Sequence, residues 1–346
     1  MTQAPTARRY LSLGQRPRCA NLIEPEGRRP GPSNYPHQHT HFDRTISFRR
    51  TPSLPDNDDE PEIVYHYTTM GTMMKIAEGA SIWATSINYL NDISEGDYFQ
   101  DLVRKRIPKY GAARQVADPS IFDEFLNTPA SPTNDRIEYR PFVASFSLNG
   151  DSLPQWRSYC PNGNGVAVGF RVDCLQRCFV KAAKEEVAPS MKGARFVEVE
   201  YLDEPTPEAL DAEIESAIAW IKRAPPQKGV TDGQRFKFIM QRLACSKKHP
   251  SFSNEREFRL ILDGVYQNTN WIEFRTARST LVPYVSLSIP VKATSTLKYG
   301  GSDFIDHVIV GPSPNMDLSQ SAVWTFFQKL SIDIEVGQSK APYREW

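Results

Sequence analysis

The residues that decide the fold read IVYHYTTMGTMMKIAEGASIWATS and occupy positions 63–86. The first six are β-branched or aromatic, which predicts a strand. The next eleven predict a helix, with Thr68 or Thr69 available as the N-cap and Gly79 as the terminator. Three apolar residues fall on one face of that helix: Met73, Ile76 and Ala77. SIWATS predicts a second strand, so the stretch forms a strand–helix–strand unit.

Strands and helices continue without the regular alternation of a doubly wound sheet. Further strands are predicted at FVASFS (142–147), GVAVGFRV (165–172), RFVEVEYL (195–202), REFRLILD (256–263), LVPYVSLSI (281–289), FIDHVIVG (304–311) and IDIEV (332–336). Helices are predicted near 99–107 and at 207–223, 231–246 and 318–330. Because strands outnumber helices, the pattern predicts one mixed α+β domain over residues 61–346.

Composition excludes several classes of protein. The chain has 41 Lys and Arg residues against 41 Asp and Glu residues, and this balance argues against a nucleic-acid coat protein or a polybasic membrane binder. No window approaches the roughly 18 apolar residues of a membrane helix. The five cysteines are odd in number and irregularly spaced, which is typical of a reduced cytoplasmic protein. Cys174 and Cys178 have no second Cys or His pair nearby, so no metal site is predicted.

The first sixty residues differ from the rest of the chain. They contain eight of the 27 prolines and show no hydrophobic periodicity, which predicts a disordered Pro/Arg-rich leader over 1–60. An acidic run at 56–62 then marks the predicted edge of the ordered part. Whether this leader has a function, or results from a misplaced start site, is left open by the sequence.

Two predicted strands carry polar residues inside apolar runs, and buried polar groups cost free energy unless they are paired or used. On alternation, His66 faces opposite to Tyr65 and Tyr67. In FVASFS, Ser145 and Ser147 share one face. The structural alternatives are a core histidine bonded to backbone and serines that relieve a crowded sheet contact.

A third strand carries paired carboxylates. Glu255 and Glu257 are two residues apart at the mouth of the strand, so both are expected on one face, joined there by Arg259. The two carboxylates raise each other's pKa, whereas the guanidinium lowers it. A charge ladder at a sheet edge is the structural alternative. The occurrence of a strand His, a strand Ser pair and a strand Glu pair in one domain favours a functional site.

Several of these segments resemble a widespread bacterial family, domain of unknown function 2971. The opening segment 63–99 resembles it through its strand–helix–strand pattern and an NDxxE loop at Asn91, Asp92 and Glu95. FVASFSLNGDSLPQWRSYCPNGNGVAVGF, NEREFRLIL, IDHVIVGP and SKAPYR resemble later blocks of the same family. The resemblance runs from about residue 63 to 344 and implies no activity.

The order of the polar strands is also similar, more distantly, to the ADP-ribosyltransferase fold. This similarity implies a mixed, largely antiparallel split β-sheet core with flanking helices that clamps NAD. The residues that it assigns to NAD binding are His66, Tyr67, Thr68, Ser145, Ser147, Trp156, Tyr159 and Arg259, and those that it assigns to catalysis are Glu257 or, alternatively, Glu255.

The similarity also implies a role for each group. His66 would bond a ribose hydroxyl, the two serines would support the nicotinamide side of the pocket, and Trp156 or Tyr159 would stack on a ring. Glu257, or Glu255, would hold the nicotinamide ribose 2′-hydroxyl and stabilise the oxocarbenium-like transition state. The reading requires the imidazole, the hydroxyls and the acid to line one hollow.

The expected function is therefore an NAD-dependent ADP-ribosyltransferase or NAD glycohydrolase, acting as an effector of bacterial defence or conflict on a protein or nucleic-acid acceptor. The alternative is a non-catalytic sensor or interaction module, which would bind a partner through the NDxxE loop and the W-x-x-Y segment of Trp156 and Tyr159. A metal-dependent nuclease built on Asp92, Glu95, Glu255 and Glu257 is a third possibility. The acceptor and the oligomeric state are not predicted.

Overall fold

The computed structural model describes residues 63–90, 97–114, 116, 118–127, 141–160, 163–176, 178–180, 194–226, 229–263, 269–277, 279–289 and 304–342. The predicted leader over 1–60 and the predicted NDxxE loop residues Asn91, Asp92 and Glu95 lie outside this part of the chain. Within it, no helix is both long enough and apolar enough to cross a membrane.

The described part contains thirteen strands and eight α-helices. The strands are β1 (Ile63–Thr68), β2 (Ser81–Ser86), β3 (Phe142–Ser147), β4 (Val166–Arg171), β5 (Phe179–Val180), β6 (Ala194–Glu198), β7 (Glu200–Tyr201), β8 (Lys247–Lys248), β9 (Glu257–Leu262), β10 (Glu273–Thr276), β11 (Leu281–Ser288), β12 (Ile305–Val310) and β13 (Glu335–Gln338). The helices are α1 (Met70–Gly79), α2 (Asp97–Arg114), α3 (Asp123–Asn127), α4 (Leu153–Tyr159), α5 (Val172–Leu175), α6 (Pro207–Arg223), α7 (Asp232–Ala244) and α8 (Met316–Lys329).

Eleven of these strands form one open sheet, in the order β10-β11-β2-β3-β1-β4-β12-β13, with β5 beside β11, β9 beside β3 and β6 beside β9. All of its described strand pairs are antiparallel except β12–β13. Strands β7 and β8 form a separate parallel pair. The prediction of a mixed fold with a largely antiparallel sheet is therefore confirmed.

The sheet forks at β3. Strand β9 pairs with the full length of β3, so the remaining edge of β3 must serve two neighbours. Strand β2 pairs at its beginning, through Val143 and Phe142, whereas β1 pairs at its end, through Ser147. Between the two pairings, the edge of β3 at Ser145 has no partner strand in the described residues.

The two faces of the sheet differ in chemistry. One face, called here the core face, packs with α1, α5 and α8 into the main hydrophobic cluster. Its central residues are Val64, Ala144, Phe146, Phe258 and Leu260. The opposite face, called here the polar face, carries the alternate residues of the same strands: Tyr65, Tyr67, Ser145, Ser147, Glu257 and Arg259. The site discussed below lies on the polar face because strand alternation sends the charged side chains there.

A second hydrophobic cluster is formed by helices. Helices α2, α3, α6 and α7 pack through Phe99, Val103, Phe125, Ile214, Phe236 and Met240, among others. The chain then passes from the end of α7 through Cys245, which packs with Val143 and Ile261 on the polar face of the sheet. This junction brings β8, and with it Lys248, next to β9.

Some element boundaries depart from the predictions. Helix α1 keeps Thr69 as its N-cap and buries the three predicted residues, but Gly79 stays helical and Ala80 takes the left-handed conformation that ends it, with φ 42°. The predicted strand at 195–202 breaks at Val199 into β6 and β7. Three short strands, β5, β8 and β10, were not predicted, because each has too few residues to show a period.

Candidate functional site

The polar face is centred on Glu257, the first residue of β9. Its side chain accepts two hydrogen bonds from Arg259, Nε to Oε1 at 2.8 Å and Nη2 to Oε2 at 2.8 Å. The two residues meet because side chains two positions apart in a strand share a face. Such a paired bond between guanidinium and carboxylate is among the strongest side-chain interactions in proteins.

Lys248 adds a second cation. Its ammonium lies 2.9 Å from Oε2 of Glu257 and 2.7 Å from Oε2 of Glu255, so it bridges the two carboxylates. Arg259 also donates from Nη1 to the carbonyl of Cys245 at 2.7 Å. The four charged groups thus form one cluster, called here the ion cluster, which joins β9 to the end of α7.

The ion cluster is nearly closed to solvent and its formal charges balance. Arg259 has no exposed surface, and Glu257 and Lys248 are buried. Burial by itself would raise the pKa of Glu257, but Arg259, then Lys248 and a hydrogen bond from Ser145, outweigh it and lower the pKa to about 2. Glu257 is therefore ionised, with both of its oxygens bonded to cations.

Glu255 was predicted at the mouth of the strand, on one face with Glu257 by strand alternation, but it lies outside the strand. Glu255 ends a 3₁₀ helix at Pro250–Glu255, and Arg256 follows in the left-handed conformation with φ 43°, so β9 begins only at Glu257. The polar residues 253–255 belong to this helical turn and do not take part in the β3–β9 ladder. The two carboxylates nevertheless approach each other, because both bind Lys248.

The two serines lie on the polar face, as strand alternation predicts. Ser145 stands opposite Arg259 and Ser147 opposite Glu257 in the β3–β9 ladder. The hydroxyl of Ser145 bonds Glu257, and the hydroxyl of Ser147 donates to the carbonyl of Glu255 at 2.8 Å. Both hydroxyls therefore hold the ion cluster in place.

His66 does not join this group. Tyr65 stands opposite Ser147 in the β1–β3 pairing, so Tyr65 lies on the polar face. His66, the next residue in β1, therefore points to the core face. There its ring contacts Phe146 edge-on, with ring centroids 6.0 Å apart. The prediction that the imidazole shares one hollow with Ser145, Ser147 and Glu257 is therefore wrong. Alternation within β1 decides this, since one residue of offset exchanges the faces.

The His66 ring instead occupies the fork of the sheet. Its Nδ1 lies 3.0 Å from the carbonyl oxygen of Ser145, at the edge of β3 away from β9, where no described strand pairs between β1 and β2. Burial lowers the pKa of His66, and the bond to the carbonyl opposes this only in part. A neutral imidazole with its proton on Nδ1 fits both facts. His66 therefore matches the structural alternative given above, a core histidine hydrogen-bonded to the backbone.

The remaining residues assigned to cofactor binding have structural partners. The Tyr67 hydroxyl donates to the carbonyl of Asn149 at 2.7 Å and accepts from the amide of Ser152 at 2.8 Å. Trp156 is 1% exposed, packs edge-on against Tyr67 and donates to Asp151 at 2.7 Å. A tryptophan held in this way has no open face for a nicotinamide ring.

Thr68 and Tyr159 complete the predicted set. The carbonyl of Thr68 accepts a weak bond from the thiol of Cys160 at 3.6 Å, and burial raises the pKa of that thiol to about 12. Tyr159 lies at the end of α4 and is partly exposed.

A second surface on the polar face was not predicted. Trp83 of β2 stacks on Tyr284 of β11, with ring centroids 4.3 Å apart and 29° between the planes, and it is 38% exposed. The Tyr284 hydroxyl donates to Glu273 at 2.8 Å. We call Trp83, Tyr284 and Glu273 the aromatic surface. The sequence signal was present in SIWATS, where a tryptophan separates two core residues, Ile82 and Ala84.

The described residues do not include a group of three or more His, Cys, Asp and Glu side chains arranged to hold a metal ion. Of the four carboxylates in the nuclease hypothesis, Asp92 and Glu95 lie outside those residues. The other two, Glu255 and Glu257, are neutralised by Lys248 and Arg259.

Comparison with known proteins supports the family resemblance in part. Residues 155–260 match the model of a family described as "Protein of unknown function (DUF2971)". The matched segment begins in α4, ends in β9 and contains the ion cluster. Searches of curated proteins and of solved structures find no match.

Proposed function

We propose that this chain is a non-catalytic module that binds a protein partner, and that its ion cluster is structural. The observation that carries the proposal is the environment of Glu257, the residue that a glycosyl transfer from NAD would need. Both of its oxygens are bonded to buried cations, and the surrounding charges balance.

A carboxylate that stabilises an oxocarbenium ion acts through its negative field and must leave an oxygen for the ribose hydroxyl. Arg259 and Lys248 cancel that field at distances of 2.8 and 2.9 Å. Releasing either cation would leave a buried unpaired charge, which is costly. The ion cluster is therefore better suited to a structural role, in which it joins α7 to the sheet, than to cleavage of the glycosidic bond of NAD.

The aromatic surface is the feature that fits binding. Its geometry is fixed before any partner arrives, since Tyr284 is held by both Trp83 and Glu273. Tryptophan and tyrosine are the residues that most often dominate the binding energy of protein interfaces, and rigid rings lose little entropy on binding. The partner surface differs from the one expected from sequence, because Trp156 of the W-x-x-Y segment is buried.

NAD-dependent ADP-ribosyl transfer or NAD hydrolysis remains a second candidate, supported by one specific observation. Ser145, Ser147 and Glu257 share the polar face, and the Ser145 hydroxyl bonds the Glu257 carboxylate. In this candidate the carboxylate would exchange its contact with Lys248 for a ribose hydroxyl when NAD binds.

A single assay separates the two candidates. The purified full chain is incubated with NAD, with and without cell extract as a source of acceptor, and free nicotinamide is followed. We expect no release above buffer from the wild type or from Glu257→Gln. Release by the wild type that is lost in Glu257→Gln would overturn the non-catalytic proposal in favour of the second candidate.

The binding role is tested at Trp83. The tagged full chain is passed through size-exclusion chromatography alone and after mixing with extract of its native cells. We expect a larger species in the mixture, which Trp83→Ala abolishes and Trp324→Ala leaves intact, because Trp324 is exposed on α8 at a separate surface. A complex that survives Trp83→Ala, or the absence of any complex with the wild type, would contradict the proposal.

A further inference from the structure

Strand β10 forms one end of the sheet. Of the described strands, only β11 pairs with it, and all four of its residues, Glu273 to Thr276, are exposed. Phe274 is 62% exposed, which is unusual for a phenylalanine. An end strand of this kind presents a row of backbone groups that can pair with another chain.

The backbone of Phe274 faces that open edge. Phe274 stands opposite Pro283 in β11, and proline has no N–H to donate, so this is a non-hydrogen-bonded pair of the ladder. The amide of Ala277 donates inward to Thr280 at 2.9 Å, which places residues 273, 275 and 277 inward and residues 274 and 276 outward. The N–H and C=O of Phe274 are thus both directed away from the sheet.

The side chains of β10 are suited to pairing with a second β10 strand. Glu273 and Arg275 share the polar face, as shown by the bond from Tyr284 to Glu273, whereas Phe274 lies on the other face. That face also bears the exposed Leu281, which stands opposite Thr276. Within the described residues, Arg275 makes no recorded ion pair.

We infer that two copies of this chain pair through their β10 strands, antiparallel, with Phe274 opposite Phe274. A two-fold axis perpendicular to the sheet keeps the polar faces of both copies on the same side of the joined sheet. It also requires that one residue of β10 lie opposite the same residue of the other copy. This register places each Glu273 opposite Arg275 of the other copy, and residue 272 opposite residue 276. Centring on Glu273 or on Arg275 would instead oppose like charges, which is unfavourable.

The two copies then form one continuous sheet. The outward N–H and C=O of Phe274 exchange two hydrogen bonds with the same groups of the other copy, and the two phenylalanines contact across the axis. This interface meets the aromatic surface only at Glu273, because Tyr284 lies one strand away in β11 and Trp83 two strands away in β2. The pairing uses the backbone of β10, Phe274 and Arg275, none of which belongs to the aromatic surface, so the inference does not rest on the proposed function.

Sedimentation velocity of the purified full chain over a wide concentration range tests the pairing. We expect a reversible monomer–dimer equilibrium. Arg275→Glu should weaken dimerisation about tenfold or more, since two attractive cross-strand pairs become repulsive. Phe274→Pro should weaken it as well, because it removes an N–H that only the second copy uses; circular dichroism confirms that the variant is folded.

The charge-swapped variant sharpens the test. Glu273→Arg combined with Arg275→Glu should restore self-association, whereas in a mixture with wild type each copy would face like charges and mixed dimers should not form. Leu318→Ala, at an exposed position on α8, serves as the control and should leave the equilibrium unchanged. A chain that stays monomeric at all concentrations, or a dimer insensitive to the substitutions in β10, would overturn the inference.

Discussion

The tripeptide Glu-Phe-Arg occurs in two strands of this sheet that follow each other along the chain, with opposite results. In β9 it is residues 257–259, and all three are buried; in β10 it is residues 273–275, and all three are exposed. In both strands the Glu and Arg side chains share the polar face. Identical local sequence thus gives a buried ion pair in one place and two solvated charges in the other.

The difference lies in what covers each strand. Strand β9 is flanked by β3 and β6, and Lys248 and the end of α7 lie over its polar face. Among the described strands, β10 has one neighbour only. Loss of water strengthens the electrostatic interaction in β9 and makes it costly to disturb, whereas solvent screens the charges in β10.

The largest difference is expected for the arginines. Arg259→Met should lower the free energy of unfolding by about 3–5 kcal/mol, because it leaves Glu257 buried with half of its cationic partners removed. Arg275→Met should change it by no more than about 0.5 kcal/mol. Urea denaturation followed by circular dichroism measures both.

The matched control for this pair is the double variant Glu257→Gln with Arg259→Met. It should recover part of the loss, because the uncompensated charge is gone. Equal effects of the two single arginine substitutions would show that burial does not distinguish the two strands.

The acid dependence of stability should also separate the two glutamates. Folding lowers the pKa of Glu257 from its ordinary 4.5 to about 2, so its contribution is present above pH 4.5 and is lost as the pH falls towards 2. The loss should be on the order of 3 kcal/mol. Unfolding free energies measured between pH 6 and pH 2.5 should show this fall in the wild type and in Glu273→Gln, but a reduced fall in Glu257→Gln. A fall of the same size in Glu257→Gln would assign it to other groups.

The smallest effects are expected for the hydroxyls that bond the two glutamates. Ser145→Ala removes a hydrogen bond to the buried, charged Glu257 and should cost about 1.5–3 kcal/mol. Tyr284→Phe removes the corresponding bond to the exposed Glu273 and should cost about 0.5 kcal/mol or less. Thermal unfolding monitored by circular dichroism would rank the two, and a larger loss for Tyr284→Phe would reverse the comparison.

Strand alternation made part of the polar face predictable. It placed Ser145 and Ser147 together and turned His66 away from both tyrosines, as observed. The sequence could not indicate that β1 and β3 pair with Tyr65 opposite Ser147, and that register puts His66 behind the sheet. Register depends on long-range pairing, which no local period records.

The ion cluster was predictable only as a list of charges. Arg259 was expected to share a face with Glu257, and it does. Lys248 was not considered, because it comes from a two-residue strand that shows no pattern of its own. Trp156 was expected to stack on a ring of NAD. The sequence does not show that Trp156 instead packs against Tyr67 and donates a hydrogen bond to Asp151.

The longer strands and helices, and which residues of one strand share a face, followed from the amino-acid sequence alone, because the periods of 2 and 3.6 residues are properties of the local backbone. Which of the two Glu-Phe-Arg segments becomes buried, and which imidazole and carboxylate meet, was decided only by the tertiary structure. Burial and proximity depend on the strands and helices that pack around a segment, and these come from distant parts of the chain.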